Sequence, residues 1–216
     1  MRNSSGGHFS TLIFCILIAG GLLAVAGCGD DPVEPRPKTV GVPLAELMPA
    51  FSASYGEMQI YQFTKLLHED FQMILLPETL DDWGWANDFY FNNSGMVTIH
   101  TNLFGGEPGV SAVGKPFPPV ESIVVELFEP QGVWAPIPAE DSYFGESGGQ
   151  WASYMVQIVF WYGEQSYQLR VQQVVNFYAV PVTEGGSLYQ LLGIRGLSPV
   201  RKSEEASWDG VLALYR

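Results

Sequence analysis

The sequence predicts an α+β fold, with helices first and an antiparallel sheet after them. Three observations carry that reading. Apolar residues between Leu44 and Leu67 recur at helical spacing. The stretches 151–162 and 167–180 alternate at period two, as half-buried antiparallel strands do. Short connections bearing glycine and glutamate separate these strands, as in hairpins.

The first elements are helical. Leu44, Leu47, Met48 and Phe51 form one helical stripe; Pro49 inside it should kink the helix or delay its start, and Gly56 should end it. Ile60, Phe63, Thr64 and Leu67 make a second stripe, closed by His68-Glu69-Asp70. Phe71–Leu76, bounded by Pro77, reads as a first strand. Asn93–Phe104 reads as a third helix with Met96, Ile99, His100 and Leu103 on one face, ended by Gly105-Gly106. Its β-branched residues weaken the helical preference. Then come four strands: Glu121–Glu129, Trp151–Tyr162, Tyr167–Val180 and Ser187–Leu197. In the third of these, Tyr167, Leu169, Val171, Val175 and Phe177 share one face, and Gln168, Arg170, Gln172 and Asn176 the other.

Composition narrows the function. The chain has 216 residues, 47% of them hydrophobic, and a formal charge of −13. That excludes a disordered polymer. It also excludes a phosphate-tracking nucleic-acid binder, which needs a basic face. Residues 1–27 hold one charge, Arg2, so every acidic residue lies beyond them.

That N-terminal segment reads as an export signal: a positive start, the apolar stretch Leu12–Val25, and small residues at its end. Val25-Ala26-Gly27-Cys28 resembles the lipobox of bacterial lipoproteins. The resemblance implies cleavage before Cys28 and acylation there, with palmitate among the chains. Several acyl chains anchor stably where one does not. The competing reading is an uncleaved transmembrane helix; Gly20-Gly21 and the break to Asp30, Asp31 and prolines oppose it. Cys15 and Cys28 are the only cysteines, so the mature chain would carry no disulfide. Gly29 after the cut, by resemblance to known sorting rules, points to the outer membrane of a bacterial envelope. Residues 28–39 are then the lipidated cysteine and a Pro-rich acidic tether. A single domain runs from Val40 to Arg216.

Within that domain, Tyr55-Gly56, Tyr61 and Leu66-Leu67-His68-Glu69-Asp70-Phe71 are similar to the opening of the nuclear-transport-factor-2-like, or SnoaL-like, superfamily. Trp83, Trp85, the third helix and the hairpins to Leu197 come in its order, and Ser207–Tyr215 resembles the end of envelope lipoproteins of this type. The resemblance covers 40–216. It implies helices packed in a strongly curved antiparallel sheet, a cone of cystatin type with an apolar pocket. It spans isomerases, dehydratases, hydrolases, cyclases and non-catalytic binders, so fold does not settle function. The isomerase branch carries a carboxylate base just past the Asp-Phe step. Met73, Ile74, Leu75 and Leu76 stand there instead, which counts against that chemistry.

Each candidate residue has a bland reading beside the functional one. His68 with Asp70 could be a base with its support, or a solvated helix end. His100 on an apolar stripe could be a catalyst or a hydrogen-bonded core histidine. Gln173 interrupts the inward face of its strand, as a ligand-orienting amide or as a group bonded to backbone; Gln157 is a weaker case. Tyr61, Phe71, Trp83, Trp85 and Asp88 could line a pocket. All six tryptophans lie beyond the signal, and exposed ones could stack on sugars, although tryptophans in sheet proteins are more often core. No spacing suits a metal, and no cofactor motif occurs.

The expectation is a membrane-anchored lipoprotein whose domain binds a small apolar ligand or a protein partner without chemistry. A homodimer through the sheet is a further expected partner. The alternatives are a hydrolase, isomerase or cyclase using His68, Asp70 or His100, and an envelope-glycan binder using exposed tryptophans. An enzyme requires a histidine and a carboxylate to meet inside the cone. A filled cone leaves a protein-interaction role.

Overall fold

The computed structural model describes residues 40–83, 90–163, 167–197 and 205–216. The expected signal, Cys28, the tether, Trp85 and Asp88 lie outside these. No described helix is long and apolar enough to cross a membrane.

The described chain begins with β1 (Val42–Pro43), α1 (Leu44–Gly56) and α2 (Ile60–Leu66). It continues through β2 (Leu67–Ile74), α3 (Pro77–Trp83), β3 (Tyr90–Asn92) and α4 (Asn93–Gly105). A small hairpin of β4 (Gly109–Val110) and β5 (Pro116–Phe117) leads to β6 (Val120–Pro130) and β7 (Ala135–Pro136). The long strands β8 (Gln150–Tyr162), β9 (Tyr167–Pro181) and β10 (Leu188–Gly196) come next, then β11 (Glu205–Ala206) and α5 (Trp208–Ala213). The fold is α+β, as expected. One large curved sheet runs in the order β3-β2-β10-β9-β8-β6. Every pair on that path is antiparallel except β2 with β10.

Local chemistry explains the helices. Pro49 sits inside α1 without ending it. Past Gly56 the chain turns with Met58 in the left-handed region at φ 51°. The Met58 and Gln59 amides donate back to the Tyr55 and Ser54 carbonyls at 3.1 and 2.9 Å, which satisfies the end of the helix. The Asn92 side chain accepts from the Gly95 amide and starts α4; Gly106, at φ 71°, ends it within the expected glycine pair.

The passage from the second helix into the sheet differs from the sequence reading: the strand expected at Phe71–Leu76 runs Leu67–Ile74, so it starts earlier and leaves out Leu75 and Leu76. His68, Glu69 and Asp70 do not close a helix; α2 stops at Leu66 and they belong to β2. The cause lies across the sheet. The buried Gln190 of β10 donates its amide N–H to the Lys65 and Leu67 carbonyls at 3.0 and 3.2 Å, and Leu67 pairs with Leu191. A tertiary partner thus takes carbonyls that a longer helix would have used.

The long hairpin keeps one register from Gln150 opposite Ala179 to Tyr162 opposite Tyr167. Even positions of β8 and odd positions of β9 therefore face the helices. Val156, Ile158, Phe160, Val171, Val175 and Phe177 are fully buried there. The alternation breaks at Tyr178 and Val180, which face outward yet are buried. A second apolar cluster covers them: Ile137 and Phe144 cross the outer face and meet Ile74, Tyr178, Val180 and Leu192. The register of β10 shifts between Leu191 and Gly193, and Phe144 lies over Gly193, where a Cβ would overlap its ring. This end of the sheet is thus covered on both sides, which is why its outward residues are apolar.

Candidate functional site

The side of the sheet that faces the helices is filled with aromatic rings. Phe51 of α1 packs against Tyr55, Phe63, Phe128, Phe177 and Trp208 at centroid distances of 5.2 to 6.1 Å. Tilted and edge-on arrangements dominate, as ring quadrupoles favour. Phe71, a pocket candidate, is one of the fully buried residues of this core.

One polar line runs through the rings. The periodicity that placed His100 on the apolar face of α4 also buries it completely. Its Nδ1 lies 2.9 Å from the Met96 carbonyl oxygen, which can only accept. Nδ1 therefore carries the proton, and Nε2 is the acceptor. Tyr55 Oη is 2.5 Å from Nε2 and donates to it. The same oxygen accepts from Trp208 Nε1 at 3.1 Å. Phe63 stacks on the imidazole at 3.9 Å, and Phe104 meets it edge-on at 5.1 Å. Burial lowers His100 to about 3, against a smaller opposing effect of the Met96 carbonyl. Burial raises Tyr55 well above its ordinary range, partly offset by the Trp208 bond. Both groups are thus held neutral at physiological pH. The line from Trp208 through Tyr55 and His100 to Met96 has every donor placed, and a carboxylate is no part of it.

The other candidates lie elsewhere. Asp70 is 79% exposed; its amide donates to His68 Nδ1 at 3.2 Å, and its carboxylate stands 3.7 Å from that nitrogen. The pair is on the outside of the protein and does not join His100. Tyr61 is exposed, with Lys65 Nζ 3.7 Å above its ring. Gln157 faces outward, bonded to Glu126, which also pairs with Arg170 at 2.8 Å. Trp83 belongs to α3, but its side chain, like Trp85, lies outside the described residues. Of the described tryptophan side chains, Trp208 is fully buried and Trp134, Trp151 and Trp161 are half-buried. Among the described residues no group of three acidic, histidine or cysteine side chains could hold a metal.

Gln173 does point inward and is 3% exposed. Its Oε1 accepts the Trp208 backbone N–H at 3.1 Å. The next residue, Asp209, is also buried and accepts the Leu76 amide at 2.6 Å. Ser207 caps α5 through the Gly210 amide and meets Thr79 at 3.3 Å. Asn102 Nδ2 donates to the Tyr215 carbonyl at 2.9 Å. The last helix is therefore part of the core, with Trp208, Val211, Leu212 and Tyr215 nearly or fully buried. Sequence reasoning missed Trp208, Asp209 and Gln190 as interior polar partners. The available signal was a polar residue inside an apolar run, as in Leu188–Ile194.

On the surface, an open groove of about 500 Å³ lies between the end of α4, β4 and the C-terminal turn, bordered by Thr101, Glu107, Val110 and Leu214. Its lining has one acidic side chain and no histidine.

No family model matches the sequence, and no curated protein matches it. Solved structures resemble it at low identity. A nuclear transport factor 2 (NTF2-like) superfamily protein from Salmonella enterica is 10% identical over 73% of this chain and 89% of that one, with a TM-score of 0.43. An NTF2-like protein of unknown function from Pseudomonas putida is 11% identical over 76% and 89%, also at 0.43. A ketosteroid isomerase-like protein from Erwinia carotovora is 9% identical over 72% and 94%, at 0.41. Likeness of this degree says nothing of activity in this chain.

Proposed function

We propose that this chain is a lipid-anchored protein of the bacterial cell envelope whose domain binds a protein partner without catalysis. The observation that carries the second half is the neutral, bonded line Trp208–Tyr55–His100–Met96 within a ring-filled interior. A general base needs a lone pair, and a general acid a proton, free to meet substrate. Both His100 nitrogens are engaged, and Asp70, the carboxylate that stands beside His68, is on the outside. A small-ligand reading needs room among the rings, which the contacts around Phe51 and Trp208 oppose. What remains for recognition is the acidic exterior. The anchor rests on Val25-Ala26-Gly27-Cys28 and the apolar run before it.

Separate measurements test the two halves. Metabolic labelling with a palmitate analogue should mark the wild-type chain and not Cys28→Ala, which should also leave the membrane fraction. An unlabelled wild type would end the lipoprotein reading. For the domain, naphthalene-type fluorescent probes should show no saturable binding. In-cell cross-linking should give one discrete adduct band. Saturable probe binding competed by an apolar ligand would favour the small-molecule reading instead.

A further inference from the structure

Three polar side chains face inward from separate elements, and their bonds converge on one residue. Gln173 of β9 accepts the Trp208 backbone N–H at 3.1 Å, and Tyr55 of α1 accepts the Trp208 indole N–H at 3.1 Å. His100 of α4 accepts from Tyr55 through Nε2, which turns a Tyr55 lone pair toward the indole. Phe51, Tyr55 and Phe177 meet the indole edge-on, with centroids 5.8, 5.3 and 6.1 Å away. Apolar walls with a few placed polar groups are how proteins bind small aromatic molecules. Here the bound ring belongs to the chain itself.

The turn that delivers the ring differs from the rest of its helix. Past that turn, α5 buries the apolar Val211, Leu212 and Ala213. The first turn instead buries Asp209, whose carboxylate meets the neutral Leu76 amide. Taking a carboxylate out of water costs free energy that one neutral N–H repays only in part. Gly210 follows, a residue that weakens helices more than any other except proline. On the other side, β11 holds only Glu205 and Ala206 to β9. The first turn can therefore open at Gly210 while the apolar end of α5 stays in place. The groups that hold the indole belong to α1, α4 and β9, so they remain when that turn opens.

We propose that Trp208 is a built-in ligand: it closes an interior site for a planar bicyclic aromatic molecule with one ring N–H, and free molecules of the indole class displace it. This role is additional to recognition of a protein partner by the exterior. With Trp208 in place the site is full, and naphthalene-type probes, which have no N–H for Tyr55, stay out. A molecule that donates to Tyr55 replaces Trp208 while the first turn is open, and then holds the turn open.

The test uses the full ¹⁵N-labelled chain in detergent. In the wild type, the Trp208 indole N–H, corrected for intrinsic rate, should exchange with solvent at least about tenfold faster than the Val171 and Phe177 amides of β9. Millimolar indole should move the Trp208 resonance to the position of a solvent-exposed ring. Trp208→Ala should bind a single indole, and should bind benzofuran, of the same shape without the N–H, about three- to tenfold more weakly. The proposal is overturned if Trp208 exchanges only together with the β9 amides, or if indole leaves its resonance unmoved. It is also overturned if Trp208→Ala binds indole and benzofuran equally, which would mark a plain cavity. Should the alanine variant not fold, the two wild-type readings decide.

Discussion

Tyr55 Oη stands between His100 Nε2 at 2.5 Å and Trp208 Nε1 at 3.1 Å, donating to one and accepting from the other. One hydroxyl from α1 therefore joins the helix pair, α4 and the C-terminal helix inside an apolar core. Low local dielectric strengthens such a line while it is complete and makes each loss costly. Tyr55→Phe leaves the Trp208 N–H and the His100 lone pair without partners. It should lower unfolding free energy by about 2–4 kcal/mol, read by urea titration. A loss under about 0.5 kcal/mol would mean that the line carries no weight.

The pH dependence comes from His100. Its unfolded value is about 6.5, and its folded value is depressed to about 3 by burial. Between these values the unfolded chain binds the extra proton. The contribution is therefore complete above pH 6.5 and is lost as pH falls toward 3, at up to about 1.4 kcal/mol per unit. His100→Phe should flatten the stability profile of that window relative to wild type, the carboxylates being common to both. Parallel profiles would contradict the neutral buried imidazole.

Gly193 and Phe144 should be coupled. A Cβ at Gly193 would overlap the Phe144 ring and come within 2.9 Å of the Gln72 carbonyl. Gly193→Ala should cost about 1–3 kcal/mol. In a Phe144→Leu background the same change should cost less, because the ring is gone while the carbonyl contact stays. Equal costs in both backgrounds would show that the 137–149 segment is not seated on the outer face.

Trp208 and Asp70 should differ sharply in weight. Trp208 is fully buried and Asp70 is 79% exposed. Trp208→Ala should cost about 3–5 kcal/mol, and Asp70→Asn no more than about 0.5 kcal/mol. Thermal unfolding monitored by circular dichroism separates them at once.

Much of this architecture is legible in side-chain period alone. The stripes of α1 and α4 and the alternation of β8 and β9 place these four elements within two residues of their observed bounds. The clearest shift is at His68–Asp70. They sit where the second helical stripe ends, but Gln190 and the pairing with β10 draw Leu67 onward into a strand. Apolar Tyr178 and Val180 on the outward face mark a covered sheet end, though not what covers it.

For the site, the inward places of His100 and Gln173 are readable as polar residues on apolar faces. What each one does there is not. Tyr55 is 45 positions from His100 and 153 from Trp208. No local pattern records a hydrogen bond between residues so far apart; only the chain path that brings α1, α4 and α5 onto one face of the sheet does. By itself the sequence determined which residues are apolar, how often they recur, and hence which elements form and which faces they bury. Tertiary structure alone decided that the buried histidine meets a tyrosine instead of a carboxylate, because partner choice depends on which buried donors and acceptors packing brings within about 3 Å.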